Sequence, residues 1–268
     1  MSDVLPGELT AALRAAGPRL GPFAAGIRYI ASVGSTNDEA AALAAAGAPE
    51  GTAVVADQQT AGRGRRGRSW FSPPGAGLYV SVVLRPEAGG GPVPAVTLLT
   101  LTAGVALAEG VRAATGLPAA IKWPNDLVIE RRKLAGILAE AAGAGGGLQA
   151  IVLGYGINVR PAAYPPDVAA RATSLEAELG REVDRGLVLA ETLAALARRY
   201  ADLTAGRFDA ILGAWRELAP SSRGTMVEWM TPDGVRRGRT EGIDDRGALL
   251  VRTAAGLERI IAGELIWQ

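Results

Sequence analysis

Residues 121–137 read IKWPNDLVIERRKLAGI, and this stretch predicts three short strands separated by two turns. Each apolar run is only a few residues long and is followed by turn-forming or charged residues. The predicted strands are Ile121–Trp123, Leu127–Ile129 and Leu134–Ala139, and the turns lie at Asn125-Asp126 and Glu130-Arg131. Strands joined by such short turns are typical of an antiparallel sheet.

The sequence on both sides of this stretch predicts an α+β fold. Further strands are predicted at Ile27–Val33, Thr52–Ala56, Leu78–Leu84 and Leu148–Gly154, and helices at Glu8–Ala16, Val93–Thr115, Leu187–Thr204 and Asp209–Leu218. An Ala-rich helix capped by Ser35-Thr36-Asn37-Asp38 is predicted to end near Gly47. Strands mixed with helices in this way predict a mixed, largely antiparallel sheet. After Ala219, short apolar runs alternate with turn residues and predict a small β-barrel. We therefore expect two domains, residues 1–219 and 220–268.

The composition excludes several kinds of chemistry. The chain has neither cysteine nor histidine, which excludes disulfides, thiolate zinc sites and the Ser-His-Asp triad. The net charge is +1, so any site for a polyanion must be local. The longest apolar stretch, Val93–Leu107, contains Pro94 and several threonines and predicts no membrane span. With no signal peptide in the sequence, we expect a cytoplasmic protein.

Lysine is rare in this chain. Of the 28 lysine and arginine residues, only Lys122 and Lys133 are lysines, and both lie within residues 121–137. An ammonium is a compact point charge, whereas a guanidinium is a wide planar fork. In a chain that otherwise uses arginine, these lysines indicate positions where an ammonium is chemically required. The alternative is chance retention of two surface lysines.

Residues 62–68 read GRGRRGR and predict a loop that binds an anionic ligand. The glycine spacing matches a dinucleotide fingerprint, but that fingerprint opens a helix, and Pro73 and Pro74 preclude a continuing helix here. Glycine lets the backbone approach an anion, and guanidinium groups bind carboxylate and phosphate oxygens. The alternatives are a solvated basic loop and an RNA-binding arginine–glycine stretch. The sequence contains no GxxxxGK[ST] motif, so a P-loop enzyme is excluded.

Several short motifs, taken together, resemble the biotin protein ligase family. They are STN at 35–37, GRGRRGR at 62–68 followed by Trp70 and FSP, KWPNDL at 122–127, RKLAGIL at 132–138 and GYGIN at 154–158. Their order and spacing match the family, and GIDDRGALLVRT at 242–253 resembles its small C-terminal domain. The resemblance covers about residues 27–268. It implies a class II synthetase-like catalytic domain followed by an SH3-like β-barrel.

The resemblance also implies a reaction. Biotin and ATP give biotinyl-5′-AMP and pyrophosphate, with Mg²⁺ as the metal. A lysine of a biotin carboxyl carrier domain, as in acetyl-CoA carboxylase, then takes the biotinyl group. Such chemistry needs positioning and cationic stabilisation of phosphate oxygens, which suits a chain without histidine.

Site residues follow from the same resemblance. Biotin contacts are expected at Ser35, Thr36, Asn37, Gln59, Gly62, Arg63, Arg65, Lys133 and Gly136. ATP or adenylate contacts are expected at Arg65, Arg66, Arg68, Trp70, Lys122, Trp123, Asn125, Lys133 and Asn158, with Trp123 and Asn158 at the adenine. Catalytic residues are expected at Arg65, Lys122, Asp126 and Lys133, and Asp126 is the expected contact of a phosphate-held Mg²⁺. Ser35-Thr36-Asn37 also predicts the N-cap of a helix.

Two other functions remain open from the sequence. A lipoate–protein ligase shares the two-step reaction, but lipoate lacks the ureido ring that Ser35, Thr36 and Gln59 suit. A nucleic-acid-binding protein would use the arginine-rich loop and the small β domain, and its affinity would fall steeply with salt. Some family members carry an N-terminal helix-turn-helix domain, whereas about 25 residues precede the first strand here. We therefore expect no DNA binding and leave a homodimer possible.

Replacing either lysine by arginine tests whether an ammonium is required. Lys122→Arg and Lys133→Arg retain the charge and the stem, so the melting temperature should stay close to that of the wild type. Each substitution should lower pyrophosphate release by about 10²- to 10³-fold, the effect of one misplaced charge contact in a closed site. Changes within about twofold in both variants, as expected for ordinary surface lysines, would contradict the requirement.

Overall fold

A seven-stranded mixed sheet forms the larger part of the protein. A computed structural model describes residues 3–86, 95–142, 150–232, 234–263 and 265–268. The strands are β1 (Ile27–Val33), β2 (Ala53–Gln59), β3 (Gly77–Leu84), β4 (Ala120–Lys122), β5 (Asp126–Ile129), β6 (Arg132–Ala142) and β7 (Ala150–Asn158). Their spatial order is β1-β2-β3-β7-β6-β5-β4, and β1–β2 is the only parallel pair among them. The predicted α+β class with a largely antiparallel sheet is confirmed.

The stretch 121–137 forms the β4–β5–β6 meander at one edge of this sheet. Lys122 pairs with Asp126 across β4–β5, and Asp126 pairs with Gly136 across β5–β6. The strand ladder therefore extends into charged residues that the apolar pattern left outside the predicted strands. This register places Lys122 opposite Asp126, whereas Lys133 at the start of β6 pairs with Val128 and reaches Asp126 only through its long side chain.

Helices cover both faces of the sheet. They are α1 (Gly7–Ala16), α2 (Thr36–Ala45), α3 (Ala95–Thr115), α4 (Pro166–Ala169), α5 (Leu175–Leu179), α6 (Arg185–Thr204) and α7 (Phe208–Leu218). Helices α1, α3, α6 and α7 share the main hydrophobic core with one face of the strands. Helix α2 packs on the opposite face through Ala40 and Ala44, against Val54, Val83 and Val152. The predicted start of α3 at Val93 lies outside the described residues.

Helix α3 is the central core helix. Its segment Leu98–Thr115 is the one stretch in the described part of the chain that is long and apolar enough to cross a membrane. Inside the protein, 67% of that segment is buried. Its apolar surface is therefore accounted for by packing against the sheet and the neighbouring helices.

A second, five-stranded antiparallel sheet follows α7. Its strands are β8 (Arg223–Thr231), β9 (Gly234–Ile243), β10 (Leu249–Thr253), β11 (Gly256–Ile260) and β12 (Ile266–Trp267), in the order β11-β10-β9-β8-β12. The predicted small β domain is confirmed, although the two-residue β12 gave no sequence signal. Its buried Val227 and Trp229 join the main core. The domain boundary at 219/220 remains a prediction.

The contact between α3 and α6 depends on a glycine. A Cβ added to Gly110 would lie 2.6 Å from Thr192 Cα and 2.8 Å from Thr192 N, both backbone atoms. Gly104 lies six positions earlier in α3 and gives a matched comparison. A Cβ there would meet only the Ile121 side chain, at 3.6 Å, an ordinary packing distance.

The two helix glycines should respond oppositely to alanine. Gly104→Ala should keep or raise the free energy of unfolding, because alanine favours helix over glycine by about 1 kcal/mol. Gly110→Ala should lower it by about 1–3 kcal/mol, because the added methyl group forces two helix backbones apart. Urea unfolding followed by circular dichroism measures both. Equal effects in the two variants would show that the helices do not approach this closely.

Candidate functional site

Gln59 connects the end of β2 to the start of α2. Thr36 donates from its backbone N and from Oγ1 to Gln59 Oε1, at 2.9 and 3.0 Å. Gln59 Nε2 donates to Ser72 Oγ at 3.0 Å. Ser35 occupies the N-cap position but makes no side-chain capping bond. The predicted N-cap position is confirmed, and the Gln59 amide oxygen accepts the N–H of Thr36, the first residue of the helix.

A buried serine extends this polar cluster into the sheet. Ser81 is 0% exposed, and its Oγ lies 2.8 Å from Thr36 Oγ1 and 2.6 Å from Asn37 Oδ1. Gly154 on β7 provides the space for Asn37, since a Cβ there would lie 2.0 Å from Asn37 Oδ1. The side chains of Thr36 and Asn37 are therefore fixed before any ligand arrives.

Arg63 joins residues 62–68, which we call the Arg loop, to α2 and β6. Its Nη2 donates to Asp38 Oδ1 at 2.6 Å and to Glu140 Oε2 at 2.9 Å. Asn37 Nδ2 donates to the same Glu140 oxygen at 2.7 Å. This network links the Arg loop to the polar cluster around Gln59.

The Arg loop is closed by its own backbone. Trp70 N donates to Gly62 O at 2.8 Å, and Gly64 N donates to Arg68 O at 2.6 Å. Arg66 and Gly67 have φ values of 58° and 72°, in the left-handed region. The loop contains only a three-residue 3₁₀ turn, Arg65–Gly67. It therefore opens no α-helix, in agreement with the rejection of a dinucleotide fingerprint.

The Arg loop presents its arginines differently. Arg63, Arg66 and Arg68 are exposed, whereas Arg65 is half-buried. Arg65 Nη1 donates to Asn125 Oδ1 at 3.3 Å. Arg65 is thus directed at the β4–β5 turn.

Trp70 packs on two glycines that face each other across β6 and β7. Gly136 pairs with Gly156. A Cβ on Gly156 would lie 2.3 Å from Trp70 Nε1, and one on Gly136 would lie 3.0 Å from Trp70 Cζ3. Trp70 Nε1 is buried and has no hydrogen-bond partner among the described residues. This N–H therefore lies buried against Gly156 of β7.

Positive charge collects where the Arg loop meets the meander. Lys133 Nζ lies 2.7 Å from Asp126 Oδ1 and 5.3 Å from the centre of the Trp70 ring. Lys122 pairs with Asp126 in the β4–β5 register. We call Arg65, Lys122, Lys133 and Asp126 the charge cluster. Three cations thus share this region with one carboxylate.

Burial and neighbouring cations lower the pKa values of two of these cations. Burial is the main cause that lowers the pKa of Lys122, and Lys133, Arg131 and Arg171 lower it further while Asp126 opposes them. Burial also lowers the pKa of Arg65, as does Arg66, again against Asp126. The charge cluster is therefore under-neutralised, and an anionic ligand would relieve the repulsion.

Two predicted adenine contacts are buried. Trp123 is 2% exposed, and its Nε1 donates to Gly247 O at 3.2 Å in the small β domain. Asn158 is 6% exposed, and its Nδ2 donates to Thr173 O at 2.9 Å. The Trp123 ring is therefore not exposed to a ligand in this structure. The Asn158 bond to Thr173 uses the side-chain nitrogen and not the side-chain oxygen. Both adenine contacts remain predictions.

Four polar residues of this region were not predicted from the sequence: Asp38, Ser72, Ser81 and Glu140. Ser81 could have been identified from the sequence, because it is the one serine in the otherwise apolar and aromatic run LYVSVVL at 78–84. Asp38 and Glu140 had none, since their roles depend on the fold bringing Arg63 between them. In the described ranges, no three carboxylates or other metal-ligating side chains lie together as a metal site. Any metal here would need oxygens from a ligand.

The chain is similar to known proteins over most of its length. Residues 29–158 match the Biotin/lipoate A/B protein ligase family, and residues 224–266 match the Biotin protein ligase C terminal domain. A biotin–[acetyl-CoA-carboxylase] ligase of Paracoccus denitrificans is 39% identical over 250 residues, which cover 89% of this chain and 99% of that protein.

Two further relatives extend the comparison. The bifunctional ligase/repressor BirA of Bacillus subtilis (strain 168) is 39% identical over 233 residues, 86% of this chain and 70% of that protein. The structure of a biotin protein ligase from Aquifex aeolicus in complex with biotin and ATP matches with a TM-score of 0.79 at 29% identity. That match covers 91% of this chain and 99% of that one.

Filling the glycine under Trp70 should release the Arg loop. Gly156→Ala places a methyl group where the indole lies, so the ring has to move and the loop loses its anchor. Trypsin should then cut after the loop arginines at least about tenfold faster. If the free energy of opening the Arg loop falls by about 1.4 kcal/mol, the open form is ten times more populated. Gly213→Ala is the matched control, since nothing lies within 4 Å of a Cβ there. Equal cleavage rates in the two variants would show that Trp70 does not anchor the loop.

Proposed function

Since the chain belongs to the biotin protein ligase family, we propose that it activates biotin with ATP and transfers the biotinyl group to a carrier-protein lysine. The intermediate is biotinyl-5′-AMP, and the acceptor is a biotin carboxyl carrier domain of acetyl-CoA carboxylase or a related carboxylase. The observation that carries this proposal is the charge cluster, which lies beside a preformed polar cluster. The charge cluster supplies the fixed positive charge that an adenylation reaction requires, and this reaction needs no histidine.

Electrostatics accounts for the first step. The biotin carboxylate attacks the α-phosphorus of ATP, the bond to the bridging oxygen breaks, and pyrophosphate leaves with the bonding electrons. Negative charge shifts among the phosphate oxygens while no proton has to move. Arg65, Lys122 and Lys133 stabilise that charge from fixed positions, and such preorganised charge needs little rearrangement during the reaction.

The polar cluster suits the ureido ring of biotin. That ring offers a carbonyl oxygen and two N–H groups, and a site recognises it with a few fixed polar groups beside apolar walls. Ser35, Thr36, Gln59 and Arg63 are the proposed polar contacts, with Gly62, Gly136 and Asn37 shaping the space around them. Lipoate has no such ring, so a binding site that keeps this many polar groups favours biotin.

The nucleotide would lie on the other side of the charge cluster. Trp70 lies there beside Lys133, whose Nζ is 5.3 Å from the centre of the Trp70 ring. Asn125 orients Arg65, and Arg66 and Arg68 add positive charge around the phosphates. Asn158 is the proposed partner of the adenine. Trp123 could contact adenine only if its contact with the small β domain opened.

Mg²⁺ fits this arrangement as an ion held mainly by ATP. Magnesium in phosphate-binding sites is commonly held by one or two carboxylates together with substrate phosphates. Asp126 is the carboxylate of the charge cluster, and Lys133 already contacts it. When bound, the ion would supply charge neutralisation on the phosphates, and Asp126 would be its protein contact.

Attack on the mixed anhydride completes the reaction. The amine nitrogen of the acceptor lysine bonds to the biotinyl carbonyl carbon, the carbon–oxygen bond to phosphate breaks, and AMP leaves while the amine releases one proton. Positive charge near that phosphate stabilises AMP as the leaving group. Three sequence predictions stay predictions: that the protein does not bind DNA, that it can form a homodimer, and that it is cytoplasmic.

A direct assay tests the proposed function. The protein is incubated with biotin, MgATP and a biotin carboxyl carrier domain, and the carrier is analysed by intact mass spectrometry. We expect one biotinyl group per carrier, and none when the acceptor lysine is replaced by arginine. Lipoate in place of biotin should give little product. An unmodified carrier with biotin, or equal modification with lipoate, would contradict the proposal.

Removing Arg65 should release the reactive intermediate. Arg65→Gly deletes the half-buried cation of the Arg loop, and losing a charged contact worth about 1.5–3 kcal/mol weakens retention of the adenylate by about 10- to 100-fold. The free mixed anhydride should then biotinylate lysines of a bystander protein, measured by avidin blotting against labelled carrier. Arg181→Gly, at an exposed arginine, is the control. Unchanged selectivity for the carrier in Arg65→Gly would contradict this role.

A further inference from the structure

The second-last residue of the chain contacts the charge cluster from the small β domain. Lys122 Nζ lies 5.7 Å from the centre of the Trp267 ring. This distance is within the range in which an aromatic face attracts a cation. Lys122 belongs to the KWPND motif of β4, whereas Trp267 belongs to β12. One domain therefore supplies the ammonium and the other supplies the surface beneath it.

The position of Trp267 is fixed by its own domain. Trp267 pairs with Val227 of β8, and Gln268 N donates to Met226 O at 3.0 Å. Gln268 Nε2 also donates to Glu228 Oε1 at 2.7 Å. The Trp267 side chain is half-buried and packs against the main hydrophobic core. The strand that carries the ring is thus held in place on both sides of Trp267.

The small β domain is also held against the meander beside this contact. The indole N–H of Trp123, the neighbour of Lys122, donates to Gly247 O at 3.2 Å. Arg216 of α7 donates to Ile243 O at 3.4 Å. These contacts keep the two sheets in one arrangement at Lys122.

Lys122 needs support because it is partly desolvated. It is half-buried, and burial is the main cause that lowers its pKa; Asp126 attracts its charge, whereas Lys133, Arg131 and Arg171 repel it. Asp126 in turn contacts Lys133 at 2.7 Å. A partly desolvated ammonium whose nearest carboxylate is shared with Lys133 is stabilised by a further group that attracts it.

We propose that Trp267 is a positioning residue that holds the Lys122 ammonium inside the charge cluster, ready for the phosphates of ATP. This role rests on the proposed function. An aromatic face suits it better than a second carboxylate would. A carboxylate would neutralise Lys122 and compete with phosphate, whereas a ring attracts the cation weakly and leaves its N–H donors free for an anion.

The scarcity of lysine allows a direct measurement of this contact. Reductive methylation with ¹³C-formaldehyde labels Lys122, Lys133 and the N-terminal amine and keeps their positive charge. Ring currents should shift the methyl signal of Lys122 upfield from that of a free methylated lysine. Trp267→Leu should remove the shift, and Trp267→Phe should retain part of it. The Lys133 signal, which lies near Trp70, is the internal control and should not move.

Kinetics tests whether the contact acts through Lys122. With saturating biotin, Trp267→Leu should lower kcat/KM for ATP by about three- to thirty-fold, and Trp267→Phe by less than threefold. Ile266→Ala, at an exposed neighbour on the same strand, should leave it unchanged. In a Lys122→Met background, Trp267→Leu should add less than about twofold, because the group that it positions is gone. A purely structural tryptophan would lower the rate by the same factor in both backgrounds.

The outcomes separate the two proposals. A Lys122 signal that Trp267→Leu leaves in place overturns the contact, and an equal loss of rate with and without Lys122 overturns the positioning role. The NMR arm needs no activity, so it decides the contact even if a variant is inactive. A wild-type protein that releases no pyrophosphate from biotin and ATP would overturn the proposed function and leave the contact standing.

Discussion

Surplus positive charge around one carboxylate is the constraint on which the site depends. Lys133 contacts Asp126 at 2.7 Å, while Lys122 and Arg65 lie in the same region with lowered pKa values caused chiefly by burial. Half-buried cations repel one another and lose hydration, so the fold has to hold them there. It does so through the short β4–β5–β6 meander, whose register places Lys122 and Asp126 opposite each other. A chain of net charge +1 thereby creates a local site for a strongly anionic ligand.

Two tryptophans from outside the meander complete this arrangement. Trp70 follows the Arg loop and contacts Lys133, and Trp267 ends the small β domain and contacts Lys122. Trp70 can lie against the sheet only because Gly136 and Gly156 carry no side chain. The packing of these glycines therefore affects the placement of charge. A methyl group on Gly156 of β7 would displace Trp70 and so disturb the Lys133 ammonium of β6. Loop, sheet and small β domain all converge on the charge cluster.

The sequence predicted the elements and the motif residues, but it did not predict their partners. Strand β1 was predicted at its observed bounds because its apolar pattern ends at turn residues on both sides. Ser35 was predicted at the N-cap of α2 and lies there, but the bond from Thr36 to Gln59 was not predicted, because Gln59 reaches Thr36 only after β2 lies beside the helix. Glu140 and Trp267 carried no signal, since each acquires its role from a residue far away in the sequence. Local patterns identify groups that can do chemistry, and tertiary contacts decide which groups meet.

The central claim is that the charge cluster is built for the anionic centre of biotinyl-5′-AMP. Calorimetric titration with two non-hydrolysable analogues tests it, one carrying an anionic phosphate ester between biotin and adenosine and one carrying an uncharged linker of the same length. Two or more charge-assisted contacts, each worth about 1.5–3 kcal/mol, predict that the anionic analogue binds at least about 100-fold more tightly. The advantage should shrink as salt is added. Equal affinity for the two analogues at low salt would contradict the account.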